Sequence, residues 1–239
     1  MTESEMQQKG AAIVTGANRG IGLAVALKMA ELGWPLMLLA RDADALEQAT
    51  RRCAALGAPV QWRAGDLTSE SFMTEAVAAT LSEYGSVDAL VNNAGTAVQQ
   101  RVQDADLDRW RQVMQINFDS AVFLSHAVLP QMIARQSGCI INISSISGRN
   151  TPSGSAIYSA SKHALNGFTG CLFEDVRDLG IKVSAIMPGF VATDLTRGVG
   201  LEETNMIQPE DVAEAVAYVL GASASCCPTE IVLRPQRTV

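Results

Sequence analysis

Seven short apolar segments alternate with six long amphipathic segments, and this alternation restricts the fold more than any other feature of the sequence. The short segments are too short for buried helices, whereas the long segments repeat apolar residues at helical spacing. Strict alternation of strand and helix predicts a parallel sheet with right-handed crossovers and helices on both faces. No repeat, low-complexity segment or change of composition divides the chain. We therefore expect one α/β domain with a doubly wound, seven-stranded parallel sheet over residues 11–239, after a frayed tail over residues 1–10.

The boundaries of the predicted elements follow from the ends of the apolar runs and from residues that begin or end helices. Ser69 is a suitable N-cap for the third helix, and Gly33 would end the first. We predict strands over 11–15, 36–40, 60–64, 89–92, 139–144, 183–187 and 231–233, and helices over 21–32, 43–56, 69–84, 106–135, 156–179 and 209–220.

Charge and composition exclude several classes of function. A net charge of −7 argues against binding to a nucleic-acid backbone, which needs concentrated Lys and Arg. No apolar run approaches the roughly 20 residues that cross a bilayer, and the polar N-terminus does not resemble a signal peptide. The five cysteines show no C-x-x-C spacing, so we expect a reducing compartment and a cytoplasmic protein. His126 and His163 are the only histidines, and no spacing suggests a metal site.

A glycine-rich segment, Thr-Gly-Ala-Asn-Arg-Gly-Ile-Gly, lies where the first predicted strand turns into the first predicted helix. Gly16, Gly20 and Gly22 allow a tight turn and a close approach to a diphosphate, which the positive N-terminus of the helix attracts. Glycine-rich turns also occur for conformational reasons alone. The strand–turn–helix context favours a nucleotide site.

This turn and five further motifs, all in the same order, resemble the short-chain dehydrogenase/reductase family over residues 11–233. Asn92-Asn-Ala-Gly95 follows the fourth predicted strand, and Pro188-Gly189 follows the sixth. Ser145, Tyr158 and Lys162 match the family's Ser…Tyr-x-x-x-Lys signature, and Asn117 lies where relatives have a further active-site asparagine. The resemblance implies a Rossmann-type oxidoreductase in which Asp66 and Leu67 contact adenine and Thr193 holds the nicotinamide carboxamide. The implied cofactor residues are Gly16, Asn18, Arg19, Gly20, Ile21, Gly22, Arg41, Asp66, Leu67, Asn93, Ala94, Gly95, Tyr158, Lys162, Pro188, Gly189, Val191 and Thr193.

The choice between NAD and NADP depends on the residue that ends the second predicted strand. An NAD site usually has a carboxylate there, which accepts the hydroxyl groups of the adenosine ribose. This chain has Ala40 at that position, followed by Arg41, and Arg19 lies on the same rim. Each arginine could stabilise a 2′-phosphate by about 1.5–3 kcal/mol. We therefore predict NADP(H), although Arg41 could instead be solvated or paired with Asp42 or Asp44.

Tyr158 and Lys162 are four residues apart and therefore lie on one face of a predicted helix. A lysine ammonium about 4 Å from the phenol would favour the phenolate by as much as ~3 pKa units. The resemblance implies that Tyr158 exchanges a proton with the substrate oxygen, to which Ser145 forms a hydrogen bond. It also implies that Lys162 holds the nicotinamide ribose and that Asn117 fixes a water connecting Lys162 to solvent.

Residues 190–208 correspond to the segment that forms a substrate lid in this family. Its apolar residues, Leu195, Val199, Leu201, Met206 and Ile207, would face a medium-sized, largely apolar carbonyl compound, while Arg197, Glu202 and Glu203 would face water. We therefore predict a carbonyl reductase or alcohol dehydrogenase. A 3-oxoacyl-carrier-protein reductase remains an alternative, although residues 229–235 differ from the glycine-ended tail of many such enzymes. A catalytically silent NADP-binding regulator is the alternative outside enzymes.

The two helices predicted over 106–135 and 156–179 carry more small and apolar residues than one face against a sheet requires. The family usually pairs these helices across a two-fold axis, so the resemblance implies a homodimer or homotetramer. The residues expected to recur over a broad arc of the second helix are Ala160, Ala164, Leu165, Phe168, Cys171, Leu172 and Val176.

Overall fold

A computed structural model describes residues 10–197, 200 and 202–237. The strands are β1 (Ala11–Thr15), β2 (Leu36–Ala40), β3 (Val60–Ala64), β4 (Val87–Asn92), β5 (Gly138–Ile143), β6 (Ile181–Pro188) and β7 (Glu230–Leu233). The helices are α1 (Gly20–Glu31), α2 (Ala43–Ala54), α3 (Glu70–Tyr84), α4 (Leu107–Met114), α5 (Ser120–Arg135), α6 (Ala156–Val176) and α7 (Pro209–Gly221).

All seven strands form one parallel sheet with the order β3-β2-β1-β4-β5-β6-β7. The chain moves outward from β1 to β3, then returns to the other side of β1 and moves outward again to β7. A crevice therefore opens between β1 and β4 at the carboxyl ends of the strands, which is where open α/β sheets bind ligands. The expected fold class is confirmed, and the first three strands have the predicted boundaries.

Each face of the sheet is covered by three helices. On one face, α1, α2 and α7 pack against side chains such as Val14 and Leu38. On the other face, α3, α5 and α6 pack against the strand residues that alternate with these, such as Ile13 and Leu39. Successive strand residues therefore point to opposite cores, which explains why β1 and β2 consist almost entirely of apolar residues.

The helical region predicted over 106–135 is confirmed, and the structure divides it into three parts. Asp106 caps α4 through its side chain, and α4 ends at Met114. Residues Gln115–Asp119 form a wider π-helical turn before α5 begins. Asn117 lies in this turn and forms side-chain hydrogen bonds outside its own helix, which ties the chain at the point where the helix widens. Other local predictions hold, and the Ser69 side chain caps α3 by accepting from Phe72 N.

Of the α6 residues predicted to support self-association, some are buried in the protein and others are on its surface. Leu165, Leu172 and Val176 are buried against the chain's own sheet, so they are not available to a partner. Ala160 and Cys171 are exposed. The exposed part of the predicted arc is therefore its small-residue side.

Gly10 is the only residue of the predicted tail within the described part of the chain, and residues 1–9 lie outside it. The Gly10 backbone N–H donates to Asp88 Oδ2 at 2.6 Å, at the amino end of β1. No helix among the described residues is long and apolar enough to cross a bilayer.

Candidate active site

Thr15 and Asn93 join β1 to the segment after β4 at the base of the crevice. The Thr15 hydroxyl accepts from the backbone N–H groups of Asn93 and Ala94, both at 2.9 Å. The Asn93 amide donates to Thr15 O at 2.9 Å. A Cβ atom on Gly16, which has φ +64°, would lie only 3.0 Å from Asn93 Nδ2. The glycine therefore allows the two segments to meet and fixes the shape of the turn above them.

The N-terminus of α1 points into this crevice without a capping side chain. Its N-cap is Arg19, and no side chain in the described part of the chain accepts from the first-turn N–H groups of α1. The first turn also contains no acidic residue. Gly20, at φ +53°, lies so close to residue 193 that a Cβ would be 3.3 Å from Thr193 Cγ2. Uncapped N–H groups at a helix start attract anions, so this turn fits the diphosphate of a dinucleotide.

Two arginines lie on the rim of the crevice in different surroundings. Ala40 is the last residue of β2, as predicted, and Arg41 follows it on the surface. Within residues 10–197, 200 and 202–237, Arg41 forms no ion pair, so the alternative in which Asp42 or Asp44 pairs with it is not observed. Arg19, in contrast, donates from Nη1 to Asp194 Oδ2 at 2.9 Å.

The remaining residues predicted for the cofactor differ in accessibility. Asp66 is exposed and accepts from Thr68 N at 2.9 Å, whereas Leu67 is buried with the core side chains. Pro188 ends β6, and Gly189 donates its N–H to Leu233 O at 2.9 Å. Of the predicted set, Gly16 and Gly22 lie against Asn93, and Gly20 lies against Thr193.

Ser145, Tyr158 and Lys162 come together beside the carboxyl end of β5. Ser145 lies two residues after β5 and is buried, and its hydroxyl oxygen accepts from Ser147 N at 3.0 Å. That contact leaves the Ser145 O–H group able to donate. Tyr158 and Lys162 lie one turn apart in α6, with Lys162 Nζ 6.0 Å from the centre of the Tyr158 ring. A hydroxyl donor, a phenol and an amine therefore face one small region.

Burial controls the ionisation of this group. Burial raises the pKa of Tyr158 above its usual value, and a hydrogen bond with Ser145 opposes this shift. Burial also lowers the pKa of Lys162 to about 8. The prediction that Lys162 lowers the pKa of Tyr158 is therefore wrong for this arrangement. Lys162 Nζ donates to Ile143 O at 2.9 Å instead of approaching the phenol. At neutral pH the structure favours a protonated Tyr158, which can donate a proton.

Both polar atoms of the Asn117 side chain form hydrogen bonds. Its Oδ1 accepts from Thr96 N at 2.8 Å, and its Nδ2 donates to Thr96 O at 2.9 Å and to Ser161 Oγ at 3.0 Å. These bonds connect the π-helical turn with the segment after β4 and with α6. Gly95 lies between them, since a Cβ there would be 3.5 Å from Asn117 Oδ1 and 3.8 Å from Lys162 Nζ. Asn117 thus positions the walls around Lys162.

A buried polar network supports the reaction residues from below, and the sequence analysis did not identify it. Asn92 Nδ2 donates to Asn142 Oδ1 at 2.9 Å and to Ser125 Oγ at 3.3 Å. Asn142 Nδ2 donates to Thr169 Oγ1 at 2.8 Å. Polar residues inside otherwise apolar strands and helices were the available signal, because such groups require hydrogen-bond partners. The network links β4, β5, α5 and α6.

The segment predicted as a lid is anchored at both ends. Ala192 N donates to Ile207 O at 2.9 Å, and Ile207 N donates to Phe190 O at 3.0 Å. Of its predicted apolar residues, Leu195 is exposed, whereas Met206 and Ile207 are buried. Val199 and Leu201 lie outside the described residues.

A groove of about 740 Å³ lies on the other side of α6 from Tyr158 and Lys162. Its lining includes Ala156, Ser159, Ala160 and His163. These residues lie on one face of α6, and Tyr158 and Lys162 lie on another. The groove is therefore separate from the reaction site and belongs to the surface of α6 that contains Ala160.

The short chain dehydrogenase family model matches residues 10–204. An uncharacterized oxidoreductase of Staphylococcus saprophyticus is 34% identical over 97% of this chain and 99% of its own length. Among solved structures, a metagenomic short-chain oxidoreductase in complex with NADP has a TM-score of 0.85 and 32% identity, covering 96% of this chain and 98% of its own. A variant of actinorhodin polyketide ketoreductase with NADPH has a TM-score of 0.88 and 30% identity, covering 96% and 97% of the two chains. With this match over most of its length, together with the crevice and the Ser–Tyr–Lys group, the chain belongs to the short-chain dehydrogenase/reductase family of oxidoreductases.

Proposed function

We propose that this protein is an NADP(H)-dependent carbonyl reductase that converts a ketone or aldehyde to an alcohol and can run the reverse reaction. The observation that carries the proposal is the group Ser145, Tyr158 and Lys162 beside an uncapped helix N-terminus. A protonated Tyr158 next to a serine hydroxyl suits donation of a proton to a carbonyl oxygen. The protonated phenol is the form of Tyr158 that reduction of a carbonyl requires.

The residues at the crevice fit the proposed cofactor. The first-turn N–H groups of α1 would hold the diphosphate, and Arg41 and Arg19 would contact the 2′-phosphate of the adenosine ribose. Asp66 and Leu67 are assigned to the adenine, and Thr193 to the nicotinamide carboxamide. Support for NADP over NAD comes from Ala40, which supplies no carboxylate at the end of β2, and from the NADP-containing relatives.

Each reaction residue then has a distinct task. Bound NADP(H) donates or accepts the hydride. Ser145 donates a hydrogen bond to the substrate oxygen and orients it towards Tyr158, which donates the proton during reduction. Lys162 holds the nicotinamide ribose, and its pKa of about 8 allows it to exchange protons near neutral pH. Asn117, whose side chain is bonded to Thr96 and Ser161, is assigned to a water between Lys162 and solvent.

The exposed apolar side chains of Phe190 and Leu195 support a largely apolar substrate. The similarity to a polyketide ketoreductase supports a second candidate, the reduction of 3-oxoacyl thioesters. A silent NADP-binding regulator is the remaining alternative, and the intact group of reaction residues argues against it.

We also propose a homodimer or homotetramer in the cytoplasm. The exposed small side chains of α6, including Ala160 and Cys171, leave a surface where a second helix could approach closely. All five cysteines are unpaired thiols, which is consistent with a reducing compartment. Light scattering at micromolar concentration tests the assembly, and a monomer would contradict it.

The decisive experiment measures NADPH oxidation with ketones, aldehydes and 3-oxoacyl thioesters, in the wild type and in Tyr158→Phe. Loss of the phenolic proton should lower kcat by about 10²–10⁴-fold on the best substrate. NADPH affinity, measured by fluorescence, should remain close to that of the wild type. Tyr84→Phe is a matched control, because Tyr84 is remote from the site and donates to Leu36 O.

Each outcome decides between the candidates. Turnover of simple ketones or aldehydes supports the first, and turnover confined to thioesters supports the second. NADPH binding without turnover of any carbonyl compound supports the regulator. Near-wild-type turnover by Tyr158→Phe would show that another group supplies the proton.

A further inference from the structure

The segment Val191–Arg197, here called the strap, contacts the glycine-rich turn through an ion pair. Arg19 Nη1 donates to Asp194 Oδ2 at 2.9 Å, and Arg197 Nη2 donates to Asp194 Oδ1 at 2.7 Å. Asp194 therefore bridges one arginine from the turn and one from the strap. Thr193 packs beside Gly20 in the same region, so the contact includes backbone proximity as well as charge.

The strap is itself ordered by short-range hydrogen bonds. Thr196 Oγ1 donates to Val191 O at 2.6 Å, and Thr196 N donates to Thr193 O at 3.1 Å. Ala192, the second residue of the strap, donates its N–H to Ile207 O, so the base of the strap is fixed to the segment that enters α7. The backbone around Asp194 is therefore held in a compact, hydrogen-bonded turn.

The position of the Arg19–Asp194 pair in the fold gives it a consequence for ligands. Arg19 follows β1, whereas Asp194 follows β6, and these strands lie on opposite sides of the crevice between β1 and β4. The pair therefore connects the two halves of the sheet above the crevice. A dinucleotide on the α1 N-terminus would have to pass this connection when it enters or leaves.

We propose that the Arg19–Asp194 pair is a latch that controls the rate of dinucleotide exchange. This inference rests on the proposed cofactor site. The latch slows both entry and release, because it must open for either. NADH reports this effect alone, whereas the 2′-phosphate of NADPH also competes with Asp194 for Arg19. Asp194 is a positioning residue, since it acts through Arg19 and the strap and not on the reacting atoms.

The pair is suited to repeated opening. The two side chains are 68% and 37% exposed, so water competes for both charges and the contact is weak. Arg197 also offers Asp194 a second partner when Arg19 turns away. An exposed pair of this kind should slow release by about 2- to 5-fold.

The experiment measures NADPH and NADH release by stopped-flow fluorescence with the full-length wild type and Asp194→Asn. We expect release of NADH to accelerate by about 2- to 5-fold, and high salt to accelerate wild-type release towards the same rate. Release of NADPH should accelerate less, because an Arg19 freed from Asp194 can contact the 2′-phosphate. The direction is diagnostic, because removal of a negative charge alone would strengthen binding of an anionic ligand and slow its release. Glu203→Gln removes an exposed carboxylate nearby and serves as the charge control.

A double-mutant comparison tests whether Asp194 acts through Arg19. In an Arg19→Gln background, Asp194→Asn should cause no further acceleration, since the latch is already absent. Slower or unchanged release of NADH from Asp194→Asn would overturn the latch, as would an acceleration confined to NADPH or an equal acceleration by Glu203→Gln. Failure of the wild type to bind either dinucleotide would instead overturn the proposed cofactor site itself and the latch with it.

Discussion

The reaction residues and the cofactor rim lie at the same end of the sheet, but they are held in opposite ways. Lys162 is buried and donates to Ile143 O, and Ser145 is buried and accepts from Ser147 N. The Asn117 side chain is bonded through both of its polar atoms. Arg19 and Arg41 are exposed, and one depends on a surface ion pair. The comparison indicates that the chemistry depends on fixed geometry, while cofactor choice and exchange depend on charges that water can screen.

The cost of this fixed geometry is visible at Lys162. A lysine whose pKa is lowered to about 8 by burial opposes folding wherever the unfolded chain holds its proton more tightly. Arg19 and Arg41 are exposed, so no burial of charge at these residues opposes folding. The comparison therefore predicts large effects of substitution on the buried side and smaller ones on the rim.

The largest expected effect comes from Lys162→Met, which should separate activity from stability. Turnover should fall by about 10²-fold or more, because the ribose contact and the proton exchange are both lost. The free energy of unfolding should rise by about 1–3 kcal/mol at pH 7, since a buried charge is replaced by an apolar side chain of similar length.

The sign of the pH dependence follows from the lowered pKa. Between pH 8 and 10.5 the unfolded chain binds more protons at Lys162 than the folded chain does, so its contribution to wild-type stability rises with pH. Lys162→Met should lack this rise. The buried thiols ionise in both proteins, so their opposing effect cancels when the free energy of unfolding of the variant is subtracted from that of the wild type. Urea denaturation over this range measures it. A variant that is less stable than the wild type at pH 7 would mean that the bond to Ile143 O outweighs the burial penalty.

Much of this contrast could be predicted from the sequence. The fold, the glycine-rich turn and the positions of Ser145, Tyr158 and Lys162 follow from periodicity and from short motifs, which depend on local spacing. The ionisation of Tyr158 could not be predicted in this way. It depends on burial, and on whether the Lys162 amine donates to the phenol or to Ile143 O. Tyr158 is four residues from Lys162, whereas Ile143 is 19 residues away, so the sequence spacing indicates only the contact with the phenol.

The same limit explains what the sequence analysis missed. Asn92 and Asn142 are 50 residues apart, and their hydrogen bond depends on the pairing of β4 with β5. Arg19 and Asp194 are 175 residues apart, and nothing in their local sequence indicates that they meet. Contacts across the sheet follow from topology, and a motif search does not register them.

On the rim, Ala40→Asp should have the largest effect. A carboxylate at the end of β2 would repel the 2′-phosphate of NADPH by a few kcal/mol and could accept the ribose hydroxyl groups of NADH. The ratio of kcat/KM for NADPH to that for NADH should move towards NADH by at least ~10²-fold. One fixed carbonyl substrate is used throughout, and the substrate profile should not change.

Burial at Ala40 requires a matched control for this experiment. Ala40 is only 5% exposed, so any larger side chain disturbs the local packing. Ala40→Asn introduces nearly the same volume without the charge. If Ala40→Asn changes the ratio as much as Ala40→Asp does, packing accounts for the effect and the argument from charge is wrong.

Arg41→Ala should have the smallest effect of the series and is the most direct test of the rim. It removes an attraction without adding a repulsion, and Arg19 still contacts the phosphate, so the preference for NADPH should fall by about 10-fold. Because Arg41 is exposed, raised salt should reduce the difference between variant and wild type. Arg52→Ala removes another exposed arginine, from the last turn of α2, and should leave the preference unchanged. An equal response to both substitutions would mean that Arg41 contributes only to the general field of the protein, and the site of the 2′-phosphate would then have to lie elsewhere on the rim.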